Sequence, residues 1–328
     1  MSREEIRGPK WDPETEIPSL AGKVAIVTGA NSSDGIGYHI ALQLALKGAK
    51  VYVGARNTQK AQAAIKEMQQ DNTAILAGKL VPLAMDLGDL EQVRRVARGF
   101  VASEERLDIL VNNAGLLPRR LDKDKYGVSV SFSTNHLAPF LFTNELLPLL
   151  KKTSDVSPGV RVLSSSMHAM PPKGARFDSL AAFNQELGGT DDFQSNLNRY
   201  GLSKLANILF TRELQKRFDS ACIAAVTVAV HPGGVRTAGS TNLATQLGDI
   251  GMLDNSLTAA DGALTPLFGA AHPIVWKERS AYGGAYLVPF GAIEEPSEDA
   301  QNADLPKELW ATSEQVVQGV LESAMFLG

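Results

Sequence analysis

The chain has one cysteine, Cys222, among 328 residues, so no disulfide can form within it. That suits a reducing compartment, and a cytoplasmic location is the expectation. Neither sign of charge dominates. The formal net charge is -4 and the isoelectric point about 5.8, which supply no long-range attraction for nucleic acid or anionic membranes. No apolar run reaches the length of a bilayer span. The first twenty residues, Met1 to Leu20, are polar, carry Pro9, Pro13 and Pro18, and lack the apolar centre of a signal peptide or anchor. The expectation is a soluble protein with neither a nucleic-acid nor a membrane partner. The five histidines, His39, His136, His168, His231 and His272, follow no metal-ligand spacing, and one cysteine cannot build a thiolate zinc site, so no metal is expected. A G-x-S-x-G elbow is also missing, which disfavours serine-nucleophile hydrolysis.

What is present is a regular alternation. Hydrophobic residues make up 44% of the chain, enough for a large core. Short β-branched runs at Lys23–Thr28, Val51–Val53, Leu80–Ala84, Leu107–Val111, Val160–Leu163, Ile223–Val230 and Ala285–Val288 read as strands. Between them lie segments of helical spacing: Ile36–Lys47, Thr58–Gln70, Leu90–Val101, one ending near Lys151, Tyr200–Arg217, and later Ala259–Ala270 and Pro306–Met325. Strands alternating with helices predict an α/β fold, a doubly wound parallel sheet of Rossmann type with helices on both faces. No composition shift marks a boundary, so we expect an N-terminal extension over 1–20 and one domain over 21–328. The Gly/Ser/Thr/Leu stretch of about 238–257 is a candidate substrate lid. Its Leu243, Leu247, Ile250 and Met252 suit an apolar or amphipathic substrate, or equally the core.

Thr28-Gly29-Ala30-Asn31-Ser32-Ser33-Asp34-Gly35-Ile36-Gly37 joins the first strand to the first helix. Glycines there permit a tight turn and close backbone approach to a diphosphate, and the helix start offers free N–H groups. Gly29, Gly35, Ile36 and Gly37 are the candidate contacts. Nineteen positions beyond Gly37, where a carboxylate would accept from a ribose 2′-hydroxyl, stands Arg56. A guanidinium suits a 2′-phosphate, so NADP(H) is favoured over NAD(H).

Tyr200 and Lys204 lie four apart, on one side of a helix. A free phenol, with a pKa of about 10, is a poor acid or base at neutral pH. A nearby ammonium is expected to favour the phenolate and bring that pKa down. This pair, the glycine loop, Asp86-Leu87 after the third strand and Asn112-Asn113-Ala114-Gly115 after the fourth come in a fixed order. Asn135, a serine cluster closing the fifth strand and Pro232-Gly233-Gly234-Val235-Arg236-Thr237 complete it. The set, spanning about Ala21 to Ala238, resembles the short-chain dehydrogenase/reductase family. Asn135-His136-Leu137 and the serines followed by His168 look most like its retinol-dehydrogenase and protochlorophyllide-reductase branch.

The resemblance implies hydride transfer between NADP(H) and a carbonyl or alcohol carbon of a small molecule, as in a ketoreductase. Tyr200 would be the general acid/base, Lys204 would hold the nicotinamide ribose, a serine would bind the substrate oxygen, and Asn135 would hold a water linking Lys204 to solvent. Asp86 and Leu87 would face the adenine. Asn113, Ala114 and Gly115 would line the cofactor, and Pro232, Gly233, Val235 and Thr237 would close over the nicotinamide. Two departures stand out. The family spaces its first two glycines by three residues, whereas Ala30 to Asp34 make five, and Asp34 brings negative charge to the diphosphate unless it turns away. Counting back three from His168 selects Ser165, while the smallest change in strand length selects Ser166; the two face opposite ways on an extended strand, and Ser165 is adopted. Two competing readings are a non-catalytic NADP(H)-binding redox sensor and a reductase of an activated C=C bond. The oligomeric state is left open.

Overall fold

The computed structural model describes residues 8–157, 159–165, 173–248, 251 and 253–325, with the backbone alone for 163–165 and 323–325. Eight strands form one sheet: β1 Val24–Val27, β2 Lys50–Ala55, β3 Leu80–Ala84, β4 Ile109–Asn112, β5 Val160–Ser165, β6 Ala225–Val230, β7 Ala285–Val288 and β8 Ala292–Glu294. Their order is β3-β2-β1-β4-β5-β6-β7-β8. All neighbours are parallel except β7 and β8.

Alternation along β1 shows why the run is apolar throughout. Val24 and Ile26 enter one core and Ala25 and Val27 the other, so both faces of the sheet are dry. Helices α1 Ile36–Leu46, α2 Thr58–Asp71 and α7 Ala259–Ala271 cover the face of Ala25 and Val27. Helices α3 Leu90–Ser103, α4 Ala138–Val156, α5 Phe193–Ser220 and α8 Leu305–Met325 cover the other, and α6 Ala238–Gln246 lies beyond β6. The N-terminal segment docks on the α7 side. Gly8 N donates to Pro289 O, and Trp11, 8% exposed, packs edge-on against Phe268 and His272.

Most boundaries follow the apolar pattern, and the exceptions have local causes. The fifth strand runs two residues past Leu163, its backbone still paired through Ser165 opposite Val230. β6 starts at Ala225 because the chain turns at Cys222, whose φ is +53°. The proposed lid opens as a helix, α6, because Thr237 and Ser240 form a reciprocal cap. Of its four apolar residues, Leu243 and Leu247 are half-buried, while Ile250 and Met252 lie outside the described residues. β8 escaped the pattern, being three residues after a turn in which Gly291 takes φ +93°.

Candidate active site

Five strand ends meet where the sheet order reverses between β1 and β4, the crevice in which doubly wound sheets bind ligands. Thr28 couples two of them. Its N–H donates to Val111 O at 3.0 Å, and its hydroxyl accepts from Ala114 N at 3.0 Å. Asn113 Nδ2 donates to Thr28 O at 2.8 Å. Gly29 takes φ +67° with an ideal Cβ 3.0 Å from Ala114 Cα. A Cβ on Gly37 would lie 2.5 Å from both Gly29 O and Asn113 Nδ2. Glycine at 29 and 37 is thus demanded by two loops in contact. Gly35 caps α1 without a side-chain bond, which leaves first-turn N–H groups free for an acceptor.

A cleft of about 480 Å³ runs across these ends. Gly29, Gly35 and Ile36 line it after β1, Arg56 after β2, Asp86 and Leu87 after β3, Asn113, Ala114 and Gly115 after β4, and Thr237 after β6. Tyr200 and Lys204 face it from α5. Gly37 is packing rather than wall. Pro232, Gly233 and Val235 also stand outside the lining: Gly233 abuts Leu257 and Pro289, and Val235 packs on Gly262. Asp34 is exposed and belongs to the cleft lining. Ser165 reaches this end of the sheet by its backbone register, whereas Ser166 and His168 lie outside the described residues.

Asn135 sits in a π turn, Ser133–Leu137, between a short helix and α4. Its Oδ1 accepts from Leu116 N at 2.7 Å, and its Nδ2 donates to Leu116 O and Ser203 Oγ at 3.1 and 3.0 Å. Ser203 Oγ in turn donates to Tyr200 O. Both amide hydrogens are therefore spent on protein, tying the β4 loop to the tyrosine helix. Gly115 lets these parts converge: its ideal Cβ would lie 3.1 Å from Lys204 Nζ and 3.2 Å from Asn135 Oδ1.

The short chain dehydrogenase model matches residues 23–175. A short-chain dehydrogenase/reductase of Armillaria gallica is 42% identical over 315 residues, covering 93% of this chain and 96% of that protein. The chain belongs to the short-chain dehydrogenase/reductase family. Another such protein, from Colletotrichum higginsianum, is 39% identical, with 94% of this chain and 78% of that one covered. Among solved structures, a putative uncharacterised protein from Mycobacterium paratuberculosis is 31% identical with a TM-score of 0.70, covering 94% and 98% of the two chains. As a short-chain dehydrogenase/reductase, the protein is an oxidoreductase of small alcohol or carbonyl substrates that uses a nicotinamide dinucleotide. No helix of the described residues is long and apolar enough to cross a membrane.

One electrostatic expectation needs correction in this short-chain dehydrogenase/reductase. Burial pushes the Tyr200 phenol up to about 12, and burial pushes the Lys204 ammonium down to about 8. Lys204 Nζ lies 5.5 Å from the tyrosine ring centroid, and this approach does not outweigh lost solvation. Burial thus favours the protonated phenol.

The sequence reading missed Lys60, Thr134, Leu116, Leu117 and Gly239, all of which line the cleft. Lys60 had a signal. Asn57 accepts from Lys60 N as the cap of α2, so a basic residue three past the cap lies one turn from Arg56. Neither Arg56 nor Lys60 forms a salt bridge among the described residues.

Proposed function

We propose that the protein is a cytoplasmic, NADP(H)-dependent reductase of small apolar or amphipathic ketones or aldehydes, built as one catalytic domain, with Tyr200 as the proton donor. The observation that carries this reading is the convergence of Tyr200 and Lys204 with the glycine loop and Arg56 on one cleft. The cofactor fits what is there. Gly29, Gly35 and Gly115 line the cleft without side chains, and two cations that form no salt bridge among the described residues, Arg56 and Lys60, stand at the β2 end where a 2′-phosphate would be held. Asp86 and Leu87 would face the adenine, and Asn113 to Gly115 and Thr237 would line the rest of the cofactor.

Bound NADPH supplies the hydride. Tyr200 gives its proton to the carbonyl oxygen, and burial keeps it in the protonated form that this direction requires. Lys204 holds the nicotinamide ribose, Ser165 binds the substrate oxygen, and Asn135 fixes the β4 loop against α5. The half-buried Leu243 and Leu247 of the lid segment favour an apolar substrate. Asn135-His136-Leu137 supports a place near the retinol-dehydrogenase and protochlorophyllide-reductase branch.

NADPH oxidation, followed by absorbance over a panel of ketones and aldehydes, tests the proposal. Tyr200→Phe should lose about 10²–10⁴-fold in kcat, the range of general acid catalysis, while binding NADPH within about threefold of the parent. In the same assay Arg56→Ala should raise KM for NADPH about tenfold or more and leave KM for NADH nearly unchanged. Turnover surviving in the phenylalanine variant would remove Tyr200 from the chemistry. Equal losses for both cofactors would remove Arg56 from 2′-phosphate recognition. A product with its carbonyl intact would mean C=C reduction, and NADPH binding without any turnover would mean a sensor.

A further inference from the structure

We infer that His39 is a positioning residue for the cofactor's diphosphate, acting by holding the enlarged glycine loop in shape. The inference rests on the NADP(H) reading of the cleft. The loop between Gly29 and Gly35 is two residues longer than the family spacing, and Asn31, Ser32 and Asp34 from it form part of the cleft wall. A longer loop has more conformations to lose on ordering, so its shape needs anchors. Ala30 N donates to Gly54 O at 2.9 Å, and Gly35 N donates to Ser32 O at 2.8 Å. Between these ends, the carbonyl of Ser33 accepts from His39 Nε2 at 2.8 Å. Since a carbonyl only accepts, Nε2 carries the proton.

The donor is itself well placed. His39 lies in the first turn of α1, half-buried, with its ring edge-on to the buried Tyr38 ring at 5.4 Å between centroids. It stands outside the cofactor cleft and lines a separate one with Trp11, Gln43 and Asp261, so its own side chain forms no part of the cofactor wall. The pin also fixes where Asp34 carries its charge in the wall. Without it, the turn is free to shift that carboxylate relative to the diphosphate.

Equilibrium binding and kinetics of the parent, His39→Phe and His39→Gln, with a shortened loop as a further control, test this. His39→Phe keeps a ring and removes the donor; it should weaken NADPH binding about fivefold, the effect of one lost neutral hydrogen bond, and leave kcat and carbonyl KM within about twofold. His39→Gln, which restores a donor, should recover most of the loss. Adenosine 2′-monophosphate carries the 2′-phosphate without a diphosphate and should bind all three alike. In a chain lacking Ser32 and Ser33, and so the accepting carbonyl, His39→Phe should add no loss. NADPH affinity unchanged in His39→Phe, a parallel loss for adenosine 2′-monophosphate, or an undiminished effect in the shortened loop would each overturn the assignment. If His39→Phe does not fold, the glutamine variant decides: a loss of affinity there as large as that of His39→Ala overturns it. Failure of the parent to bind either nucleotide would instead strike the cofactor reading itself.

Discussion

A lysine ammonium enclosed by protein loses hydration that a neutral amine does not need, and Lys204 shows the consequence in its shift down to about 8 from 10.5. The linkage has a definite sign. Folding binds fewer protons at this site than the unfolded chain does, so the charged group costs stability below pH 8 and the cost is relieved between pH 8 and 10.5. Lys204→Met should therefore melt higher than the parent at pH 7, with the gap closing as pH rises through that window; calorimetry of both chains from pH 7 to 10 would read it. A gap independent of pH would mean that Lys204 is paired rather than desolvated. At this scale the placement of Tyr200 and Lys204 on one cleft was legible, because a phenol and an ammonium four apart must share a helix side. The direction of the tyrosine shift was not, because spacing reveals the neighbouring charge but not the depth of burial.

The elements that shape the cleft are joined by close backbone contacts as well as by side-chain bonds. An alanine at 37 would put its methyl 2.5 Å from Gly29 O, and no rotamer change can relieve that contact. Gly37→Ala should cost about 1–3 kcal/mol of stability, typical of overpacking, and weaken the cofactor further because the displaced group is the glycine loop. Gly234→Ala is the control, since nothing lies within 4 Å of its ideal Cβ. Denaturant melts of both, with NADPH titrations, check the contrast, and equal stability of the two variants would contradict it. Strand and helix order was legible from period-two and helical patterning. The π turn at Ser133–Leu137 was not, since its lengthened turn answers to Asn135 reaching the Leu116 backbone, a tertiary demand. Likewise α6 looked like an open lid because its helical reading depends on a threonine–serine cap rather than on apolar periodicity.

Across the whole molecule, the C-terminal helix packs, from far along the chain, on the elements that carry the site. Trp310 of α8 stacks on Phe210 of α5 and lies under the Arg217 guanidinium, 3.9 Å from its ring centroid. One turn on, Ser313 Oγ hydrogen-bonds His136 Nε2 at 2.9 Å, and His136 adjoins Asn135 in the π turn. Burial pushes His136 down to about 3, with a hydrogen bond to Asn207 opposing, and burial takes His231 down to about 4. Both are neutral in the fold and charged in the unfolded chain below pH 6.5, so the unfolded state binds more protons and stability falls as pH drops. Each such group removes about 1.4 kcal/mol per pH unit within its window. The parent should therefore lose stability steeply from pH 6.5 toward 4, and His136→Gln, less stable at neutral pH, should show a shallower acid slope. Urea midpoints for both chains at half-unit pH steps measure the two slopes. Parallel slopes would mean that the His136–Ser313 contact opens before the chain unfolds, and α8 would then be a detachable cover rather than part of the cooperative core.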